Sequence, residues 1–481
     1  MEKNYLYGLT VQGIQSYIFA TNKLKEIIGA SEIIEQLCTT WFYDFLTKEE
    51  CKGSIRHLNA AGNIRFQTDK ETAKRIFRDY HFILLEKAPG VPFSQAVVEI
   101  KNGKEYEAIQ NLDKKLRAQR NSPLYEIDLG VMLRSKNRRT GDFAFQKQIY
   151  NKEKNKFEFL DVVSNQKYIK RKGKALTEKI ELSNNNIVYP SEFEELAKGG
   201  THSWLAVVHI DGNGMGIIIK DILENGVDKF TELKSFSKSI ADCTINAYKK
   251  AITDVVLPEK TDIEIDNIAH QQLPIRPLII GGDDVTVIIR ADLALEFTQV
   301  YLETFEEETL KAKLNNNKGV TACAGIAYVK EKFPFHYSAN LAEELCTYAK
   351  NKSERKASAI QFHLVNDSII DNYKEIVARE LKVSEDFTFQ KGPYYLDKYK
   401  DSEANKELLS TLTKTIAQLK QEDSPKNSMR EWVDAKFNKP NMTNILMDRL
   451  KAKTSGYNTI LENEKAFIDY HTLLAVNTKT D

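Results

Sequence analysis

Three aspartates in this sequence follow apolar runs at positions where their carboxylates could hold a metal ion. Asp283 and Asp284 follow two glycines in RPLIIGGDDVTVIIR (residues 276–290), between two β-branched apolar runs. Asp211 directly follows the apolar run HSWLAVVHI (residues 202–210). Adjacent carboxylates repel each other unless water separates them or a cation neutralises them, and Mg²⁺ shared with phosphate oxygens is a common partner. Taken alone, Gly-Gly-Asp-Asp is also typical of a solvated hairpin turn.

The apolar pattern around these aspartates predicts the elements that position them. Short β-branched runs indicate strands, and apolar residues at helical spacing indicate helices. Strands are expected at 202–210, 278–280, 285–289 and 318–329, helices at 228–251, 291–314 and 337–350, and a polar connection at 256–276. This order contains a ferredoxin-like βαββαβ unit, whose first strand lies beside the hairpin. We therefore expect Asp211, Asp283 and Asp284 to converge, as in a one- or two-metal phosphoryl-transfer site.

Residues 1–110 repeat this order without the aspartates. The expected elements are a strand at 4–11, two helices, a hairpin, a helix at 70–85 and a strand at 94–100. A break at Gly29-Ala30-Ser31 separates the two helices, with Ser31 placed to cap the second. The hairpin tip reads Ala60-Ala61-Gly62-Asn63 where the later copy has Gly-Gly-Asp-Asp. We interpret this segment as a degenerate copy that lost its metal-binding carboxylates.

The motifs together resemble a known family. Residues 200–365 are similar to the palm domain shared by GGDEF nucleotide cyclases and the large polymerase/cyclase subunit of type III CRISPR effector complexes. The GGDD spelling resembles the CRISPR branch, and so do FPFHYSA (residues 333–339) and GLTVQGIQSYIFATNKLKEIIGAS (residues 8–31). The resemblance predicts an α+β fold with two ferredoxin-like palm domains and a C-terminal helical domain.

The resemblance also implies roles for individual residues. Asp211, Asp283 and Asp284 would be the catalytic metal ligands. Gly281, Gly282 and Gly212 would contact nucleotide, and Lys350 would contact the triphosphate, although a solvated lysine at a helix end is an alternative. Ser31, Asn59 and Asn63 would line the pocket of an acceptor nucleotide, unless they only cap or bond locally. His209 is expected to be a packed residue and not a catalyst.

Four domains are expected from these patterns. They are a degenerate palm (1–110), a basic linker or insert (111–200), a GGDD palm (201–365) and a helical domain (366–481) with clear helical periodicity at 408–419 and 442–450. Between residues 134 and 174 there are 13 Lys and Arg against 4 Asp and Glu, interleaved with aromatic residues. Such a stretch is typical either of a surface that follows a phosphate backbone or of a solvated hairpin arm.

The composition sets further limits. The 481 residues carry a net charge of only +1, so no overall basic field indicates nucleic acid. The five cysteines include no Cys-x-x-Cys pair, which argues against a zinc site, and none lies where relatives often carry a zinc module. No apolar run is long enough to cross a membrane, and the N-terminus lacks a signal-peptide pattern. We expect a cytoplasmic protein.

The function implied by the resemblance is a nucleotidyltransferase. It would use ATP and Mg²⁺ or Mn²⁺ to make a cyclic oligoadenylate or cyclic dinucleotide in antiviral signalling. Its partners would be CRISPR effector subunits with guide and target RNA, unless it acts alone or as a homodimer. The family's nuclease domain has no counterpart, so no DNase activity is expected. Alternatives are AMP transfer to a non-nucleotide acceptor, a silent nucleotide-binding or subunit-holding scaffold, and a single-strand RNA-binding module.

Overall fold

The chain forms two compact units. The computed structural model describes residues 4–60, 62–101, 104–122, 135–151, 156–180, 182, 186–198, 203–226, 229–265, 267–366, 372–399 and 407–477. The first unit comprises Met1–Glu181, Met215–Thr244 and Leu278–Gly282, and the second comprises Leu182–Gly214, Ile245–Pro277 and Asp283–Asp481. Each unit draws on three separate segments, and the four sequence-based domain boundaries stay a prediction.

The first unit contains the expected N-terminal βαββαβ fold. Its strands are β1 (Tyr5–Val11), β2 (Ile55–Ala60), β3 (Asn63–Thr68) and β4 (Phe93–Glu99). Its helices are α1 (Ile14–Ile18), α2 (Leu24–Cys38), α3 (Thr40–Phe45), α4 (Lys48–Lys52), α5 (Lys70–Lys87) and α6 (Glu105–Arg120). The strand order is β2-β3-β1-β4, and β1 is antiparallel to both neighbours. The ferredoxin-like topology predicted for this segment is therefore confirmed.

Helix α2 corrects one detail of that prediction. No break occurs at Gly29, because α2 runs without interruption from Leu24 to Cys38, and Ser31 therefore lies inside the helix and caps nothing. Glycine at position 29 has a packing cause. A Cβ built there would lie 1.7 Å from the carbonyl oxygen of Lys167, so only glycine lets the two backbones approach this closely. The sequence pattern indicated a helix end where the structure has a helix contact.

A second group of elements in the chain precedes the GGDD palm. It consists of β5 (Gln146–Asn151), β6 (Lys156–Leu160), α7 (Val162–Lys170), α8 (Ala175–Ile180), β7 (Ile187–Val188) and α9 (Phe193–Ala197). β5 and β6 form an antiparallel hairpin. Asp161 begins α7 by accepting a hydrogen bond from the Ser164 amide, which is a regular N-cap. Within the first unit α7 and α8 pack on α2, and within the second unit α9 packs on β8 and β12.

The following elements build the GGDD palm. They are β8 (Trp204–Gly212), α10 (Met215–Asn225), α11 (Lys229–Ala251), β9 (Thr261–Ile265), β10 (Ile268–Gln272), β11 (Ile275–Gly281), β12 (Asp284–Arg290), α12 (Ala294–Lys311), α13 (Leu314–Asn317), β13 (Ala322–Lys330), α14 (Phe335–Lys352) and β14 (Ala359–Leu364). Their large sheet has the order β11-β12-β8-β13-β14 and continues into two short strands, β15 (Tyr394–Tyr395) and β16 (Glu407–Leu408). Its first four strands have the predicted βαββαβ arrangement.

The segment 256–276 contains more structure than a polar connection. β9 and β10 form an antiparallel hairpin, and β10 also pairs in parallel with β7. The sequence missed these strands because β9 is mostly exposed and carries no continuous apolar face. Asn267, at φ 62°, adopts the left-handed conformation that a tight hairpin needs. The second unit therefore has a small three-stranded sheet besides the large one.

The C-terminal region is helical, as expected. It contains α15 (Tyr373–Ile376), α16 (Leu409–Leu419), α17 (Lys426–Asn438), α18 (Thr443–Lys453), α19 (Asn458–Glu462) and α20 (Phe467–Asn477). Short 3₁₀ or π turns occur at Ile252–Val256, Leu257–Glu259, Ala291–Leu293, Val377–Leu381, Asp397–Tyr399, Pro440–Met442, Ser455–Tyr457 and Glu464–Ala466. Trp432 packs edge-on against Phe389 and Phe467, with ring centroids 6.1 and 5.3 Å away. This aromatic cluster joins α17 and α20 to the segment around Phe389 that precedes β15.

Candidate active site

Asp211 lies at the end of a strand that the sequence makes entirely apolar. β8 pairs with β12 on one side and β13 on the other, and residues 204–210 are buried. Ile210 pairs with Val285, so the next residues, Asp211 on β8 and Asp284 on β12, lie at the same end of the sheet. The Asp211 side chain is 41% exposed, which leaves it open to a ligand. The structure thus brings together the carboxylates that the sequence analysis singled out.

The pKa values of the motif aspartates reflect this convergence. Burial first, and the Asp211 carboxyl second, raise the pKa of Asp283 to about 7. Burial, followed by Asp211 and Glu343, raises the pKa of Asp284 to about 8. Oδ1 of Asp284 is buried and has no hydrogen-bond partner in the described part of the chain. The site therefore holds more negative charge than the side chains around it neutralise.

A hard divalent cation fits the chemistry of this donor set. Carboxylate oxygens are ligands that suit Mg²⁺ and Mn²⁺, and a buried carboxylate oxygen without a partner is an atom that such an ion would satisfy. In their present positions, no three or more His, Cys, Asp or Glu side chains within the described ranges form a group that could hold a metal ion. Asp211 is paired with a lysine instead. Metal ligation by the three aspartates accordingly stays a prediction.

Lys350 is that lysine, and it is buried. It extends from α14, and its Nζ donates to Asp211 Oδ2 at 2.5 Å and to the carbonyl of Gly212 at 2.8 Å. Lys350 does lie in the last turn of α14, but its side chain is only 7% exposed, so the alternative of a solvated lysine is wrong. Its ammonium group supplies positive charge where a triphosphate contact was predicted. That contact itself remains untested.

The backbone that leads into the GGDD turn is held by three side chains of the first unit. Ser31 Oγ donates to the carbonyl of Leu278, Lys179 Nζ to that of Ile280 at 3.0 Å, and Thr244 Oγ1 to that of Gly282 at 2.7 Å. Ser31 thus supports the strand through its hydroxyl, which gives it a structural role besides the predicted one. The sequence offered no signal for Lys179 or Thr244, because their contacts join segments far apart in the chain.

Glycines shape the two turns of the site. Gly282 has φ +64° and Gly214 has φ +70°, and a Cβ at either position would meet no atom within 4 Å. Their need for glycine is therefore conformational, and the space beside them is open. Gly281 ends β11 in a buried position. Gly212 is also buried, and its carbonyl accepts from Lys350. Nucleotide contacts by these glycines stay predictions.

Asn213 fixes the turn that follows Asp211, a role that the sequence analysis missed. Its Nδ2 donates to Thr321 Oγ1 at 2.9 Å and to the carbonyl of Ala357 at 3.2 Å, and its backbone amide donates to the carbonyl of Thr321 at 2.8 Å. Asn213 is buried. In the sequence it reads as an ordinary turn residue, because Asn between glycines is common in turns.

His209 behaves as expected. It is buried in β8, and its Nδ1 lies 3.0 Å from Thr286 Oγ1 and 3.5 Å from Asp284 Oδ1. Burial lowers its pKa, so the ring is neutral at pH 7. A neutral imidazole packed in the sheet does not offset the negative charge of the aspartates.

The candidates for the acceptor pocket lie in the first unit. Asn63 begins β3, and its Oδ1 accepts from Thr10 Oγ1 at 2.7 Å across the sheet. The side chain of Asn59 lies outside the described residues. Acceptor binding by Ser31, Asn59 and Asn63 stays a prediction.

Part of the basic stretch 134–174 packs inside the first unit. Arg139 forms a bidentate ion pair with the buried Glu26, at 2.6 and 2.8 Å. Lys167 is buried and donates to the carbonyl of Tyr17 at 2.6 Å, and burial lowers its pKa to about 8. Residues 134 and 152–155 lie outside the described ranges. Arg139 and Lys167 serve the interior, which weakens the interpretation as a phosphate-following surface.

Comparison with known proteins agrees with this architecture. Residues 204–359 match the family model described as Cas10/Cmr2, second palm domain. Comparison with curated proteins gave no match. No helix among the described residues is long and apolar enough to span a bilayer.

Solved structures share the fold over nearly the whole chain. A Csm1-Csm4 cassette in complex with pppApA matches with 14% identity and a TM-score of 0.56, covering 99% of this chain and 70% of that one. The cassette in complex with pppApApA has a TM-score of 0.55 at the same identity and coverage. Csm1 in T. onnurineus has a TM-score of 0.51 and 14% identity, and the match covers 99% of this chain and 70% of that one. At this identity the likeness establishes the fold.

Proposed function

We propose that this chain, which carries the second palm domain of the Cas10/Cmr2 large-subunit family, is a metal-dependent nucleotidyltransferase. It would join nucleotides from ATP into a cyclic oligoadenylate or a cyclic dinucleotide, as a second messenger in antiviral defence. The single observation that carries the proposal is the convergence of Asp211, Asp283 and Asp284, with the pKa values of Asp283 and Asp284 raised to about 7 and 8. Clustered carboxylates of this kind are typical of sites where divalent cations and phosphates bind.

The reaction requires positioning more than covalent work by side chains. A ribose hydroxyl of one nucleotide attacks the α-phosphate of another, a P–O bond forms, and pyrophosphate leaves. Asp211, Asp283 and Asp284 would hold one or two Mg²⁺ or Mn²⁺ ions. When bound, such ions lower the pKa of the attacking hydroxyl and neutralise charge on the phosphates. Gly282 and Gly214 leave open space beside the carboxylates for the nucleotide.

Lys350 would change partners when the substrate binds. In the structure its ammonium group neutralises Asp211. If a cation takes over that task, the ammonium becomes available to a triphosphate oxygen, which a lysine binds as a point charge. Asn213 would keep the Asp211 turn in place during this exchange, because its amide bonds Thr321 and Ala357 and neither belongs to the carboxylate cluster.

The partners proposed are subunits of a type III CRISPR effector complex with its guide and target RNA. Support comes from two solved structures of similar fold, which are Csm1-Csm4 cassettes in complex with pppApA and pppApApA. Action alone or as a homodimer is the other arrangement under this proposal. The product's size and linkage follow from no residue described above.

One observation favours a second candidate, a catalytically silent nucleotide-binding scaffold. Lys350 already neutralises Asp211 without a metal ion, as a structural lysine would. Under that alternative the aspartates would bind no metal. The unpartnered Oδ1 of Asp284 argues against it, because a structural cluster is normally satisfied by its neighbours.

The test is product formation from ATP labelled at the α-phosphate, with and without GTP, in Mg²⁺ or Mn²⁺. Wild-type protein is compared with an Asp283→Ala/Asp284→Ala variant and with an exposed control, Glu264→Gln. A new labelled product in the wild type and the control alone supports the proposal. Absence of product even after guide RNA, target RNA and cell extract are added, with ATP binding retained, supports the scaffold.

A further inference from the structure

A cavity in the C-terminal helical region lies apart from the aspartate cluster in the chain and is not used by the proposed reaction. It has a volume of about 510 Å³, and it is bounded by α17, α20, the end of β14 and the turn at Val377–Leu381. Clefts of 300–1,000 Å³ are typical of sites for small organic ligands. All of its walls belong to the second unit.

Three basic side chains contribute to the wall of this cavity. Lys420, Lys426 and Arg430 contribute to its wall, and none of the three forms an ion pair with the residues that the structure describes. Lys426 and Arg430 are one helical turn apart on α17, and like charges at this spacing destabilise a helix unless an anion lies between them. The acid of the wall, Glu380, is already bound to His363 at 3.3 Å and to Arg379 at 2.6 Å.

An uncharged polar group and an apolar face complete the cavity. His471 of α20 lines it, and its Nε2 is buried with no hydrogen-bond partner in the described part of the chain. Burial and the nearby Arg430 lower the pKa of His471 to about 4, so the ring is neutral at pH 7. Val433, Ile468 and Leu474 supply apolar surface to the same cavity. A ligand here would meet both cations and apolar atoms.

We infer that this cavity binds a phosphate-bearing small molecule of mononucleotide size. Lys426, Arg430 and Lys420 would hold the phosphate, His471 Nε2 would bond a polar atom of the body, and the apolar residues would pack on its ring. A concave site with its cations beside a buried imidazole suits a compact ligand, whereas a flat basic surface suits a polymer backbone. The inference is independent of catalysis by the aspartates.

Photo-crosslinking with labelled 8-azido-AMP on the full chain, in EDTA, tests this site. Cross-linked peptides are mapped by mass spectrometry, and affinity is measured by competition with AMP and with inorganic pyrophosphate. The variant is Lys426→Gln/Arg430→Gln, which removes two charges from exposed or half-exposed positions. The matched control is Lys414→Gln/Lys451→Gln, two exposed lysines of the same helical region that do not line the cavity.

We expect label in peptides that contain residues 426–433 or 468–475 of the wild type and the control. Loss of two charged contacts should weaken AMP binding at this site at least about tenfold in the variant. Stronger competition by AMP than by pyrophosphate would show that the nucleoside body contributes, and equal competition would show recognition through phosphate. Label confined to other peptides, or equal affinity in the variant and the wild type, would overturn the inference.

Discussion

Asp284 is the residue on which the account of the site depends most. Its buried, unpartnered Oδ1 and its raised pKa have one physical origin, which is negative charge gathered without enough counter-charge. The sequence predicted that these carboxylates lie close together, because Asp211 follows one apolar strand and Asp283 and Asp284 lie in the hairpin beside it. It did not predict that Lys350 would neutralise Asp211, since a lysine late in a helix is usually solvated. The contacts of Asn213, Lys179 and Thr244 could not be predicted from local sequence patterns, because they join residues far apart in the chain.

Replacing Asp284 by Asn should stabilise the metal-free protein at alkaline pH. The folded pKa of about 8 lies above the unfolded value of about 3.9, so the wild type loses stability as the pH rises between them. Asn cannot ionise, so the stability of the variant relative to the wild type should increase from pH 5 to pH 8.5 by on the order of 1 kcal/mol, after allowance for solvent screening. Denaturant unfolding in EDTA measures this.

Glu264→Gln is the control for that experiment, because Glu264 is exposed on β9 and away from the aspartates. Mg²⁺ should stabilise the wild type and the control at pH 8.5 and leave Asp284→Asn almost unchanged. An equal difference between Asp284→Asn and the wild type at pH 5 and pH 8.5 would be inconsistent with the raised pKa.

Replacing Lys350 by Met should destabilise the metal-free protein and make it dependent on cations. The variant leaves Asp211 and Gly212 without their donor, a loss of about 1 kcal/mol, because water can reach the 41% exposed Asp211 side chain. Mg²⁺ should restore part of that loss, because it can supply the charge. Thermal unfolding with and without Mg²⁺ measures both effects. Lys352→Met, exposed on the same helix, should change neither, and equal behaviour of the two variants would contradict the role of Lys350.

At the scale of elements, the sequence predicted those with continuous apolar patterns. Both βαββαβ orders and the helices α16 and α18 followed from periodicity. The strands β9 and β10 were missed because their residues are mostly exposed, and β15 was missed because Tyr394 and Tyr395 form a strand too short for any period. The predicted break in α2 was wrong because a glycine can serve helix packing as well as helix ends.

The surroundings of Gly29 and Gly216 predict that substitution by alanine changes the stability of the protein in opposite directions at these two positions. Gly29→Ala places a Cβ 1.7 Å from the Lys167 carbonyl, so α2 and α7 must separate, at a cost of roughly 1–3 kcal/mol or more. Gly216→Ala, in α10 with open space around it, should instead stabilise the helix by roughly 0.5–1 kcal/mol. Chemical denaturation of both variants measures this. Stabilisation by Gly29→Ala would refute the close approach of these backbones.

At the scale of the whole molecule, positive and negative charges are balanced in number. The chain has 69 Lys and Arg against 68 Asp and Glu. Within the basic stretch, Arg139 and Lys167 are engaged with Glu26 and Tyr17. An extended surface for a phosphate backbone therefore has little support, and RNA would meet this chain mainly through the proposed partner subunits.

Single-stranded RNA should bind the isolated chain only weakly. We expect a dissociation constant no tighter than about 10⁻⁴ M at physiological salt, with a shallow dependence on salt, because the net charge is only +1 and Arg139 and Lys167 of the basic stretch are engaged internally. Fluorescence anisotropy at several salt concentrations measures both. A steep fall of affinity between about 50 and 200 mM salt would instead support the RNA-binding alternative.

The most direct test of the central claim is Mn²⁺ binding, because it requires no RNA activator. Electron paramagnetic resonance of free Mn²⁺, with a non-hydrolysable ATP analogue present, gives stoichiometry and affinity. The account predicts at least one ion per wild-type chain and per Glu264→Gln chain, and at least about tenfold weaker binding in Asp283→Asn/Asp284→Asn. Equal Mn²⁺ binding by the double variant and the wild type would contradict a metal site at Asp211, Asp283 and Asp284.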